Sequence, residues 1–169
     1  VNTLQAILSR RSVRAYTGQP VPDELLETVL RAAMAAPSAG NQQPWQFVVI
    51  TERSLLDAIP AFHPYARMVL QAPVAVLLCG DLSLEKHKDY WVQDCSAAMQ
   101  NMLLAIHASG LGGVWLGVYP NSERVDGFRK LLDLPEHIVP LGLLPFGYPS
   151  EQPPAVDRFN PSRIHTNHW

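Results

Sequence analysis

Five residues near the start of the chain hold its densest polar chemistry. Arg10-Arg11-Ser12-Val13-Arg14 sets three guanidiniums and a hydroxyl on one short stretch. A guanidinium is a rigid fork of donors and a serine fits between two of them, which suits a phosphate monoester. In an extended segment residues 10, 12 and 14 point the same way. Taken alone, the stretch also reads as an ordinary solvated basic loop. A second stretch, Ala36-Pro37-Ser38-Ala39-Gly40-Asn41-Gln42-Gln43-Pro44-Trp45, offers backbone N–H groups, amides and a hydroxyl but no charge. That chemistry matches the edge of a heteroaromatic ring, whose alternating donors and acceptors need neutral partners. The competing reading is a turn, with Trp45 as a core anchor.

The elements around these stretches follow from apolar spacing. Thr3 can cap a short helix with Leu4, Ile7 and Leu8 on one face. Pro20 and Pro22 with Asp23 and Glu24 open a second helix. Its stripe is Leu25, Leu26, Val29, Leu30 and Ala33, and Pro37 stops it. Residues 46–51 read as a strand buried on both faces, and 74–79 as another. Short helices are expected around Leu55 to Ile59 and over residues 65–71. The longest helix covers about 89–109, with Val92, Cys95, Met99, Met102, Leu103 and Ile106 at threes and fours, ended by Gly110, Gly112 and Gly113. A third strand follows at 114–119, a helix capped by Asn121 or Ser122 carries Val125, Phe128 and Leu132, and a fourth strand covers 139–144. From Pro149 onward the chain is Pro-rich yet carries Val156, Phe159, Ile164 and Trp169, which suits an arm laid on another surface. Buried strands alternating with helices predict a sandwich of helices around a small sheet.

Composition narrows the partners. The chain has 169 residues, 47% hydrophobic and 17% charged, which fits one globular domain over 1–169. The formal net charge of −2 argues against nucleic acid. No stretch reads as a signal peptide or spanning helix, so no membrane partner is expected and the compartment is taken as cytoplasmic. Cys79 and Cys95 sit in apolar runs without ligand spacing and read as inert thiols. The six histidines are scattered and no metal is expected; Met99 and Met102 read as packing. No nucleophile elbow supports a Ser-His-Asp site.

The two N-terminal motifs, in their order and spacing, resemble the FMN-dependent nitroreductase family. The likeness continues through Gly110-Leu111-Gly112-Gly113-Val114-Trp115-Leu116-Gly117 and from Asp157-Arg158-Phe159 to Trp169. Only a brief polar segment, residues 83–89, precedes the long helix, so the chain is most similar to the short branch. The resemblance implies an α+β fold: a three-layer α/β/α sandwich whose small mixed sheet is flanked by helices, with the arm at 149–169 exchanged in a homodimer. It implies that Arg10, Ser12 and Arg158 hold the FMN phosphate, Arg11 helping through its backbone. Arg14, and more weakly Arg67, would reach the N1–C2 carbonyl edge of the ring, where negative charge collects on reduction. Pro37, Ser38, Ala39, Asn41 and Gln43 would line the isoalloxazine, some from the partner subunit, and Trp115, Leu116 and Gly117 would pass their backbone beside it. Many longer members carry an acidic residue and a glycine after this strand; here Gly117-Val118 stands there.

The implied activity is electron transfer from NAD(P)H to nitroaromatic or quinone-like acceptors. No GxGxxG follows a strand, so no separate nicotinamide domain is expected, and donor and acceptor would use one flavin face in turn, by ping-pong kinetics. Aromatics such as Tyr65, Trp91 or Tyr119 would line an open pocket. Two alternatives stand beside this reading. One keeps the fold and FMN but changes the reaction, for example to reductive dehalogenation, dehydrogenation or flavin breakdown. The other is a flavin-storage or redox-sensing module without turnover.

Overall fold

The computed structural model describes residues 2–169. Its centre is strand β2 (Val74–Asp81), buried along its whole length. It lies between β1 (Trp45–Ile50) and β5 (Ile138–Gly147), antiparallel to both. The short strands β3 (Gly112–Gly113) and β4 (Leu116–Gly117) pair antiparallel with the other edge of β5. Every ladder is therefore antiparallel. The sheet's one parallel element among the described residues is an isolated bridge from Ser12 to Gly113.

The period-two pattern of β2 decides the layers. Val74, Val76 and Leu78 enter one core with helices α2 (Asp23–Met34) and α4 (Trp91–Ala108). Ala75, Leu77 and Cys79 enter the other, with α3 (Arg53–Ala58) and α5 (Ser122–Leu132). Along β5 the parity changes: Val139 and Leu141 join the α2/α4 core, then Leu143 the opposite one, then Leu144 and Phe146 the first again. A register irregularity opposite Leu78 and Cys79 supplies the extra residue, as a β-bulge does.

Several expectations change in detail. Helix α1 (Thr3–Ser9) is capped by Asn2, which accepts from the Gln5 N–H at 2.9 Å; Thr3 is its first helical residue. The expected apolar face of α1 points away from the protomer: Leu4 and Leu8 are 72% and 73% exposed, and only Ala6 is buried. Strand β1 is not buried on both faces. It is an edge strand with Gln46 and Val49 exposed, because no described strand covers its far side. The helix expected over 65–71 is one 3-10 turn, Arg67–Leu70. Of the strand expected over 114–119 only β4 forms, while β3 lies before it at the glycines expected to end the helix; between them the Trp115 indole lies across Gly142, where a Cβ would meet Nε1 at 2.5 Å. Trp45 is the core anchor of the loop before it. Cys79 and Cys95 are buried, and burial pushes both thiols up to about 12. Beyond the Tyr16–Pro149 bridge the arm buries none of Val156, Phe159, Ile164 or Trp169.

Candidate functional site

The arginine segment is held as an extra edge beside β3. The Val13 N–H donates to the Gly113 carbonyl at 3.0 Å, and Val13 packs where a Cβ on Gly112 would stand 2.7 Å from it. The buried Tyr16 hydroxyl reaches the carbonyls of Val13 and Pro145 at 2.8 and 3.1 Å; burial first, then Glu151, raises its pKa. Val13 points inward, so alternation turns Ser12 and Arg14 outward with Arg10. Arg10 lines a cleft of about 640 Å³ with Leu8, Arg11, Val156 and Arg158. Among the described residues none accepts a hydrogen bond from its guanidinium. Burial, then Arg158, then Arg11 lower its pKa. Arg11 is spent differently: its side chain donates to the carbonyls of Leu8, Arg10, Pro154 and Val156, clamping the arm to α1.

A second cleft, of about 450 Å³, is lined by Arg14, His63, Tyr65, Met68, Val114, Trp115, Leu116, Gly117 and Arg124. Arg14 thus shares one opening with all three residues predicted to pass their backbone beside the ring. The Arg14 N–H donates to Glu151 Oε1 at 2.5 Å, fixing the backbone there. Arg67 stays outside this lining; it is exposed, and its neighbour Met68 takes the place. His63 is 1% exposed, with Nε2 3.0 Å from the Gly117 carbonyl. That contact requires the proton on Nε2, which leaves the buried Nδ1 as an acceptor without a partner among the described residues. Burial lowers its pKa. The Arg124 guanidinium donates to the same carbonyl at 2.9 Å and stacks 5.3 Å from the Tyr65 ring centroid.

The charge-free loop lies elsewhere. Gly40, Asn41 and Gln43 have φ of 54°, 52° and 46°, a left-handed geometry costly for glutamine. Internal bonds hold it: Ser38 Oγ accepts from the Gln43 N–H at 3.0 Å, and Gln43 Nε2 donates to Asn41 Oδ1 at 2.7 Å. Its anchor is Asp94, buried in the first turn of α4, which accepts from the Ala39 N–H at 2.9 Å and from Gln42 Nε2 at 2.6 Å. Neither arginine cleft is lined by any residue of 37–43. The loop sits at the N-terminal end of α4, whereas Arg10 and Arg11 lie beside His107 near its C-terminal end. More than three helical turns, about 20 Å, separate those two levels. One protomer does not bring the two predicted halves together.

The profile of the Nitroreductase family matches residues 7–148, most of the chain and both motifs. The chain belongs to the nitroreductase family. A provisionally named NADH dehydrogenase/NAD(P)H nitroreductase of Methanothermobacter thermautotrophicus is 51% identical over 169 residues, covering 100% of this chain and 88% of that protein. The crystal structure of a protein given the same provisional name, from Parabacteroides distasonis, superposes with a TM-score of 0.95 at 43% identity, over 99% of this chain and 98% of that one. A provisionally named nitroreductase from Desulfovibrio desulfuricans, solved in complex with FMN, gives a TM-score of 0.86 at 32% identity, over 100% and 99%. In this nitroreductase, sequence reasoning missed His63, Arg124 and the Asp94–Gln42 pair. His63 and Arg124 carry no local signal, since they converge only through Gly117. Asp94 did carry one: it stands in the apolar phase of α4, between Trp91 and Ala98.

Proposed function

We propose that this nitroreductase-family protein binds FMN non-covalently and passes electrons from NAD(P)H to nitroaromatic or quinone-like acceptors. The observation that carries the reading is Arg10: a half-buried guanidinium with no acceptor among the described residues, its charge opposed by Arg11 and Arg158. Such a group offers free donors and charge to an anion, and a terminal phosphate monoester suits both. Ser12 would add a hydroxyl between the guanidiniums. From there Arg14 places a cation in the second cleft, against the ring edge where negative charge collects. The backbone of Trp115, Leu116 and Gly117 would border the ring, with His63 and Arg124 fixing the Gly117 carbonyl. Arg67, outside the cleft, is a weaker candidate for the ring edge. When bound, FMN supplies the two-electron chemistry; the protein orients it and limits access.

A single opening beside Arg14 favours donor and acceptor binding in turn, hence ping-pong kinetics. The working unit is a homodimer. Pro37, Ser38, Ala39, Asn41 and Gln43 would reach the ring from the second subunit, because their own lies about 20 Å along α4 from the arginines. The exposed arm, with Arg158 in the phosphate cleft, supports the same assembly. The test is direct. Purified protein should be yellow and release FMN, not FAD, on boiling. Anaerobic NADH or NADPH should bleach it. Folded Arg10→Ala/Ser12→Ala protein that keeps its flavin, or wild-type protein that no nicotinamide bleaches, refutes the proposal.

A further inference from the structure

The segment between β2 and α4 is short and mostly exposed, yet its backbone is tied to the interior. The N–H groups of Lys86 and His87 both donate to Gln42 Oε1, at 2.9 and 3.0 Å. The other end of that amide, Nε2, donates to Asp94 Oδ2 at 2.6 Å, while Asp94 Oδ1 holds Ala39. Gln42 and Asp94 are 6% and 4% exposed. The His87 imidazole also lies on Gly40, where a Cβ would meet Nε2 at 2.5 Å. One carboxylate and one amide therefore join the 37–43 loop to the 82–90 segment.

We propose that Asp94 and Gln42 are positioning residues that lock these two segments into one body, and that this body sets the acceptor side of the site. The inference rests on the reading above for what the body does, not for its existence. Its logic is donor parity. Ala39, Lys86 and His87 present only N–H donors, so the two bridging side chains need one acceptor-only carboxylate between them. Asp94 with Gln42 satisfies this. An amide at both positions, as Asp94→Asn creates, does not: whichever way the two turn, donors face each other at one junction. Adding Gln42→Glu to Asp94→Asn satisfies it again, with the carboxylate moved one place along.

Three variants test this. Asp94→Asn should raise amide exchange at Ala39, Lys86 or His87, and speed tryptic cleavage after Lys86 or Lys88. The rise should be roughly fivefold to thirtyfold, the factor that one or two lost hydrogen bonds are worth when proteolysis follows the opening equilibrium. Asp94→Asn/Gln42→Glu should return both readouts to within about threefold of wild type, since the bond pattern is restored. Gln42→Ala, which leaves Ala39 held, should free the 82–90 segment while flavin content stays near wild type. In that variant the acceptor KM should rise roughly tenfold with kcat within about twofold, as expected when a binding wall moves. Circular dichroism confirms folding in each case. Wild-type protection in Asp94→Asn, or a double variant as loose as the single, overturns the relay. Unchanged acceptor KM in a loosened Gln42→Ala overturns its role at the site. A wild type that no nicotinamide bleaches refutes the functional reading alone, because exchange and cleavage are measured without turnover.

Discussion

Arg10→Gln should move the apo-protein and the flavin-loaded protein in opposite directions. In the apo-protein the guanidinium is partly desolvated and opposed by Arg158 and Arg11, so its pKa is lowered. Removing it takes away a repulsion and no hydrogen bond to a described residue. Glutamine keeps most of the side-chain stem against Ile7 and Leu8, which line the same cleft. The cleft is open, so the relief is small, about 0–1 kcal/mol. With FMN bound as proposed, the same guanidinium would face a dianionic phosphate. A charge-assisted hydrogen bond is worth about 1.5–3 kcal/mol, so losing one should raise the FMN Kd roughly tenfold to 150-fold. The assay titrates stripped protein with FMN by flavin fluorescence and follows urea midpoints with and without excess cofactor. The expected pattern is an apo midpoint equal to or above wild type and a holo midpoint clearly below it. The affinity loss should shrink at high salt, where the phosphate contact in wild type is itself screened. An apo-protein destabilised as much as the holo-protein would make Arg10 structural. An unchanged Kd would place the phosphate elsewhere.

Four further outcomes are expected. Gly80→Ala puts a Cβ 2.4 Å from the Trp91 ring inside the fully buried β2, and the overpacking should cost about 1–3 kcal/mol in urea unfolding; an unchanged midpoint would mean that Trp91 repacks freely. His63 and His107 are held below the ordinary imidazole range, burial first, so the folded state binds fewer protons than the unfolded chain. Stability is then full above about pH 6.5 and lost as pH falls from there through the folded-state values; His63→Gln, which keeps a donor for the Gly117 carbonyl, should flatten that slope, and equal slopes would refute the assignment. Truncation after Pro149 removes Arg158 and the exposed apolar arm, so light scattering should show monomer and absorbance should show lost flavin; a dimeric yellow product contradicts the proposed exchange. A steady-state survey of planar oxidants should show broad acceptance; one acceptor preferred by several orders of magnitude would refute an open pocket.

What was legible in the chain was what is local. Arg10 to Arg14 declare their chemistry by type and spacing, and the structure turns Ser12 and Arg14 outward by inserting Val13 beneath Gly112. The buried β2 and the stripe of α4 were legible for the same reason, since burial of a regular element leaves a period in the sequence. The outward face of α1 misled because Leu4, Ile7 and Leu8 have the right period but no partner within the protomer. Arg11 matches Arg10 and Arg14 in type, yet its side chain satisfies carbonyls on two distant segments, a use that no local spacing records.

The Asp94 case goes further, because its signal was present and lay in the pattern itself. A carboxylate inside an apolar stripe must find donors or lose its place in the core. Donors that carry charge would have left a buried ion pair whose desolvation rivals its attraction. Backbone N–H groups and a primary amide avoid that, and the stretch from Pro37 to Gln43 supplies both without one charged residue. The neutrality of that loop, first read as a match to a ring edge, thus has a second cause on its inner side. Gln42 faces the core and answers Asp94, while Asn41 and Gln43 stay exposed, on the side proposed to meet the ring. On that proposal two demands, one from the core and one from the site, select the same kind of residue at neighbouring positions.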